Sequence, residues 1–249
     1  MSMPKLIFKY KSVNTADELL YAIDIIKNQR LYFPNRTVLN DPLEGKAVGF
    51  SPGYAGCWQY TTYDEEDPTL GKIMNQYRIL SLSEDGFSPQ LWAHYGGIYS
   101  GICFVFKTNA SFSTIKPVQY IEEQKTFDPQ RNLAKRQYAD HFLYKHIGWA
   151  YEKEWRITKQ QQEPFFYFDL DELVSIVVGY RIKDEILEVI QKYLPGNIPV
   201  LKAFPGFHTF CVKMEPQGYQ RRYEGMSDGA IYSTEELLEY IETTKTKRP

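Results

Sequence analysis

The chain has 249 residues, with 29 Lys and Arg set against 31 Asp and Glu and a formal net charge of -2 at pH 7. That balance leaves no basic footprint for indiscriminate nucleic-acid binding. A hydrophobic share of 43% with 24% charged residues is ordinary for a globular protein with a substantial core. The three cysteines, Cys57, Cys103 and Cys211, are widely spaced and odd in number, which implies neither a disulfide framework nor a zinc ligand set. Arg221-Arg222 and Lys245-Thr246-Lys247-Arg248 cluster positive charge and read as solvated surface and a fraying terminus. There is no secretory signal pattern and no apolar run approaching about 18 residues, so the expectation is a soluble cytoplasmic protein with no membrane partner.

In chain order, Leu6 to Lys11 reads as a first strand. Thr15 or Asn14 then caps a helix, with Glu18 completing a capping box and Leu19, Leu20, Ile23 and Ile26 at helical spacing. Arg30 to Phe33 returns as a strand stopped by Pro34, and 35 to 75 is turn-rich, with Asp64 to Asp67 an acidic loop. A short helix is expected over Thr69 to Gln76, then a strand from Arg78 to Ser83. Ser88 and Pro89 open the next helix, which Gly96-Gly97 ends. Gly101 to Lys107 is a buried strand and Val118 to Ile121 a shorter one. Pro129 to His146 is expected to be helical, leading to a strand from Glu152 to Lys159 and its extension from Phe165 to Phe168. Strand 173–179, helix 184–194 and strand 199–203 make a crossover unit. Phe210 to Met214 and Thr234 to Thr243 add a strand and a surface helix. The expected fold is one α+β domain over 1–249, a mixed, mostly antiparallel sheet flanked by helices, with a core at 6–180 and a C-terminal elaboration at 181–249.

The chemistry concentrates in Tyr151-Glu152-Lys153-Glu154-Trp155-Arg156-Ile157. As a strand, it sets Glu152, Glu154 and Arg156 on one face and Tyr151, Lys153 and Trp155 on the other. Carboxylates about 7 Å apart along a strand can hold a ribose or prime a hydroxyl, with the arginine keeping them ionised. An edge strand with a Glu–Arg ladder accounts for the same residues. Asn40 and Asp41 before Pro42 suit either a turn or a ligand contact. Ser81 and Ser83 share one strand face, as do Lys9 and Lys11, which suits an anionic group. His94 reads as a buried, hydrogen-bonded core histidine or as a site residue. His141 and His146 are five residues apart, too far round a helix to chelate together.

Phe8-Lys9-Tyr10-Lys11-Ser12, Leu39 to Glu44, Ser81 to Glu84, Leu91 to Tyr95 with Gly101-Ile102-Cys103, and Trp149 to Arg156 follow one another in that order. Over roughly 6 to 180 they resemble the bacterial domain-of-unknown-function family 2971. A more distant likeness is to the ADP-ribosyltransferase superfamily, and it implies a split sheet with three strands around NAD. It would place Lys9 or Lys11 at the first strand, where the superfamily has Arg or His, and Ser81-Leu82-Ser83 at the second. The third would be Glu152-Lys153-Glu154, with Glu154 stabilising an oxocarbenium-like transition state and Glu152 orienting the acceptor. Arg156 would hold the pair ionised or bind phosphate, and Tyr10, Trp92 and Tyr95 would sandwich nicotinamide or a base.

The function the likeness implies is an NAD-dependent ADP-ribosyltransferase or NAD glycohydrolase in a toxin or phage-defence setting. NAD would be a substrate, no metal is expected, and the acceptor is open: protein, nucleic acid or small molecule. A non-catalytic module holding a nucleotide or peptide in the aromatic cleft is the second reading. The third is a metal-dependent nuclease using Asp41, Glu44, Glu152 and Glu154.

Overall fold

In the computed structural model, the Thr15 hydroxyl accepts from the Glu18 backbone and the Glu18 carboxylate accepts from the Thr15 backbone, so the expected capping box heads the first helix. The structure describes residues 2–46, 48–52, 58–62, 68–125, 138–206, 211–217 and 229–246. The acidic loop, Cys57, Arg221-Arg222, the final three residues and the first part of the expected 129–146 helix lie outside them.

The strands are β1 (Leu6–Lys11), β2 (Arg30–Tyr32), β3 (Val48–Pro52), β4 (Trp58–Thr62), β5 (Tyr77–Ser83), β6 (Ile102–Lys107) and β7 (Lys116–Pro117). They continue as β8 (Gln119–Ile121), β9 (Tyr144–His146), β10 (Glu154–Gln160), β11 (Phe165–Tyr167), β12 (Leu173–Gly179), β13 (Val200–Pro205) and β14 (Val212–Pro216). The helices are α1 (Ala16–Asn28), α2 (Pro68–Asn75), α3 (Pro89–His94), α4 (Tyr138–His141), α5 (Asp184–Tyr193) and α6 (Thr234–Thr246). The fold class is α+β with mostly antiparallel pairing. The chain forms two units, each assembled from separated stretches.

The larger unit comprises Ser2–Arg30, Leu82–Ser113 and Tyr167–Pro249. Its strands run in the order β14-β13-β12-β6-β1, and the end of β5 joins β1 where Ser83 pairs with Phe8. All of these pairs are antiparallel except β12 with β13, which are joined through α5 as the crossover reading requires. Every residue of β12 is buried, as are five of the six in β6, which is why both read as continuous apolar runs. Gly97, Ile98 and Tyr99 take left-handed backbone angles, and the Tyr99 carbonyl accepts from Arg181 N–H at 2.9 Å. Gly179 is required there, because a Cβ would overlap that carbonyl oxygen.

The smaller unit comprises Leu31–Ser81 and Thr114–Phe166. β5, β10 and β7 are neighbours, with Trp155 opposite Pro117 and Arg156 opposite Lys116. β3 and β4 form an antiparallel pair inside the segment expected to be irregular. Leu70, Met74, Tyr77, Ile79, Tyr138 and Phe142 make one apolar cluster, burying the inner faces of α2 and α4.

Two expectations need correction here. The run ending at His146 is not one helix: within the described residues α4 stops at His141, and Tyr144 to His146 form a strand parallel to β8. The charged strand begins at Glu154 rather than Glu152, because Ile147–Glu152 coil into a 3-10 turn closed by Lys153 in the left-handed conformation.

Candidate functional site

Glu154 and Arg156 are two residues apart on β10, so their side chains leave the same face of the strand. Arg156 Nε donates to one Glu154 carboxylate oxygen at 2.7 Å and Nη2 to the other at 2.8 Å. Nη1 of the same guanidinium donates to the Phe142 carbonyl at 2.5 Å, and Nη2 also ion-pairs with Glu44. Lys145, delivered by β9, ion-pairs with Glu152 and reaches Glu154 at 3.1 Å and Glu44 at 3.7 Å. Its ammonium lies 5.0 Å from the centre of the Trp149 ring. All five charged residues are at most 7% exposed.

Local sequence explains how each arrives. Asp41 Oδ1 accepts from the Leu43 backbone at 2.9 Å and its carbonyl from Glu44 N–H at 3.1 Å, closing a tight turn. Gly45 follows in the left-handed conformation, and the turn sends Glu44 inward while Leu43 stays exposed. Along β9 the side chains alternate, so Lys145 points to the network while Tyr144 and His146 are more exposed. Glu152 reaches the network from the end of the 3-10 turn. It is the turn, not strand alternation, that brings Glu152 beside Glu154.

Glu44, Glu152 and Glu154 face two cations, Lys145 and Arg156, so with all five ionised one buried negative charge is in excess. Burial raises the Glu154 pKa, Lys145 and a hydrogen bond from Ser81 oppose it, and the charge of Glu152 adds to the rise. Burial works the other way on Lys145, but Glu154 and Glu152 overcome it and hold that pKa above its ordinary value. The Tyr120 hydroxyl accepts from Glu154 N–H at 2.7 Å and fixes the start of β10. The lysine ammonium therefore stands where three carboxylates meet. Among the described residues, no group of three or more His, Cys, Asp or Glu is arranged to hold a metal ion.

A cavity of about 170 Å³ opens above this network, with Glu44 and Lys145 in its lining. Asp41, Glu122, Lys125, His141, Tyr144 and His146 contribute to the wall. The Lys125 ammonium lies 4.3 Å from the centre of the Tyr144 ring and donates to its hydroxyl at 3.1 Å. A space near 150 Å³ accommodates a single six-membered ring.

Of the sequence candidates, the smaller unit holds Asn40, Asp41, Ser81, Glu152, Glu154 and Arg156. Ser81, Glu152, Glu154 and Arg156 interact directly, Asp41 lines the cavity above them, and Asn40 is exposed. The larger unit holds Lys9, Tyr10, Lys11, Ser83, Trp92, His94 and Tyr95. There, Trp92 is fully buried, donates to the Gly86 carbonyl at 3.2 Å, and packs against the rings of Tyr10 and Tyr99. Tyr10 donates to the Asp85 carbonyl at 2.8 Å, and Ser83 accepts from Asp85 N–H at 3.0 Å. Burial lowers the Lys11 pKa against the pull of Glu18. His94 is exposed at the end of α3, not a buried core histidine.

Sequence reading missed Lys145, Tyr144 and His146 as site residues because it placed them on a helix. Glu44 entered as a metal ligand and as the end of the Leu39–Glu44 motif, not as part of a charge network. The signal for Glu44 was its position before Gly45, at the end of an Asn-Asp-Pro turn.

Among the described residues, no helix is long and apolar enough to cross a membrane. No curated protein and no solved structure matches the chain. A family model described as a protein of unknown function, DUF2971, matches residues 91–157, the stretch that carries β9, the 3-10 turn and the Glu154–Arg156 pair.

Proposed function

We propose that the cavity over Glu44 receives the nicotinamide ring of NAD, and that the protein breaks the bond between nicotinamide and ribose. The activity would be that of an ADP-ribosyltransferase or an NAD glycohydrolase. The observation that carries this reading is the excess of buried carboxylate beneath a cavity sized for one ring. Nicotinamide in NAD is a cation, and the ribose gains positive charge as the bond breaks. Fixed negative charge in a water-poor site therefore stabilises the transition state more than the ground state. Tyr144 supplies an aromatic face that already holds a Lys125 ammonium, the contact a pyridinium would replace.

In this reading Glu154 is the carboxylate that answers the developing charge, and Glu152 orients the acceptor. The Ser81–Glu154 hydrogen bond joins two of the strands on which the ADP-ribosyltransferase likeness rests. The split sheet of that superfamily belongs to the same proposal. The acceptor is water in a glycohydrolase, and a protein, nucleic acid or small molecule in a transferase. An NAD-consuming protein of this kind suits a toxin or phage-defence effector. The test is nicotinamide release from NAD by the wild type and by Glu154→Gln, with circular dichroism to verify folding. Release by the wild type and a loss of at least about a hundredfold in the variant support the reading, the scale expected for one transition-state contact. No release by the folded wild type overturns catalysis.

One observation favours a second reading, a binding module without turnover. Both Glu154 oxygens are taken by Arg156, and one of them by Lys145 as well. On that reading NAD raises the melting temperature but no nicotinamide appears.

A further inference from the structure

Three stretches of chain line the cavity: the turn from Asp41 to Gly45, Ile121 to Lys125, and His141 to His146. They are not held alike. Buried groups anchor the first and third: Glu44 is ion-paired with Arg156 and Lys145, and the buried His141 ring bonds the Lys46 carbonyl through Nε2. The second is secured by strand pairing as far as Ile121, where β8 ends beside β9. From Glu122 to Lys125 the chain is exposed, and among the described residues side chains tie it down. Gln124 Nε2 donates to the Leu43 carbonyl at 3.1 Å and reaches the Lys46 carbonyl at 3.4 Å, while Lys125 donates to the Tyr144 hydroxyl at 3.1 Å.

The volume gives this difference a consequence. About 170 Å³ takes one ring, whereas sites for larger ligands run to about 300–1,000 Å³. We infer that Glu122 to Lys125 form a strap that limits the cavity to a single ring, and that Gln124 must release the Asp41–Lys46 turn before a dinucleotide can seat. Of the three walls, this one yields at least cost, because its ties are exposed side-chain bonds that water can replace. A ligand that needs the released strap loses affinity in proportion to how seldom it is released, so weakening a tie strengthens binding of the long ligand alone. This deepens the NAD reading above, as the regulation of that site, and rests on it.

Gln124→Met keeps the length of the side chain and removes its donor. The wild type and Q124M are titrated calorimetrically with N-methylnicotinamide, which is the ring alone, and with carbocyclic NAD, whose nicotinamide bond resists cleavage. Both proteins are also melted.

The expected result is an unchanged melting temperature and equal affinity of the two proteins for N-methylnicotinamide. Carbocyclic NAD binds Q124M about three- to tenfold more tightly than the wild type, the range for one neutral hydrogen bond given up on release. If its affinity is unchanged or falls, or if both probes tighten equally, the strap is overturned while the NAD site stands. If neither protein binds carbocyclic NAD, the proposed function itself fails and takes the inference with it.

Discussion

Arg156 grips both oxygens of Glu154, at 2.7 and 2.8 Å, from two residues further along the same strand. That fork belongs to a buried network whose other members come from a turn, a short strand and a 3-10 turn. A pair of this kind does not guarantee stability, since desolvation offsets much of the Coulomb gain. Breaking it from one side is costly.

Arg156→Met leaves three carboxylates with Lys145 as their single counter-ion. The expected loss is about 3–5 kcal/mol, read from urea unfolding. Lys145→Met is expected to cost a similar amount, and adding Glu152→Gln to it should recover part of that loss. The recovery would be a coupling of about 0.5–3 kcal/mol. Additive losses would mean that Lys145 and Glu152 do not share a charge balance.

The pH dependence follows from Glu154. Its folded pKa lies above the ordinary 4.5, chiefly through burial, so the folded state holds the proton more tightly than the unfolded state does. Its contribution to stability is therefore greatest below 4.5 and declines as pH rises through the raised folded value. Glu154→Gln lacks that proton. Unfolding of both proteins from acid to neutral pH should show the wild type losing stability relative to the variant as pH rises. A gain of the wild type over the variant across that window would contradict the assignment.

At the other end of the chain, Thr15→Ala removes one half of the capping box that begins α1. The expected cost is about 1 kcal/mol, and Thr15→Asn should restore most of it. Thermal melts of the three proteins decide this.

Gly179→Ala tests the left-handed turn at Tyr99. The added methyl meets backbone, which cannot rotate away as a side-chain tip can. A loss above about 2 kcal/mol is expected, within the range for overpacking in a filled interior. A neutral substitution would mean that the Tyr99 carbonyl does not sit over the end of β12.

Local signals carried much of the fold. The capping box, the Ser88-Pro89 helix start and the apolar runs of β6 and β12 each depend on neighbours within a few residues, and each appeared where the sequence placed it. The parallel β12–β13 pair was legible because a strand, an amphipathic helix and a second strand leave few connections. The candidate site was legible only in part. Glu152, Glu154 and Arg156 stood out as charges among aromatics, yet alternation along a strand misdescribed how Glu152 reaches the others. Lys145 gave no local sign, because a single lysine between Tyr144 and His146 resembles any surface residue. Its meaning arises from the long-range pairing that sets it against Glu44, Glu152 and Glu154.

The most direct measurement is a crystal structure of the protein soaked with NAD at millimolar concentration. The expected result is a pyridinium ring, or the ribose left after its departure, in the cavity with Tyr144 on one side and Glu44 beneath, and Lys125 displaced from the Tyr144 ring. NAD bound elsewhere, or the cavity unchanged with Lys125 still over Tyr144, would contradict it.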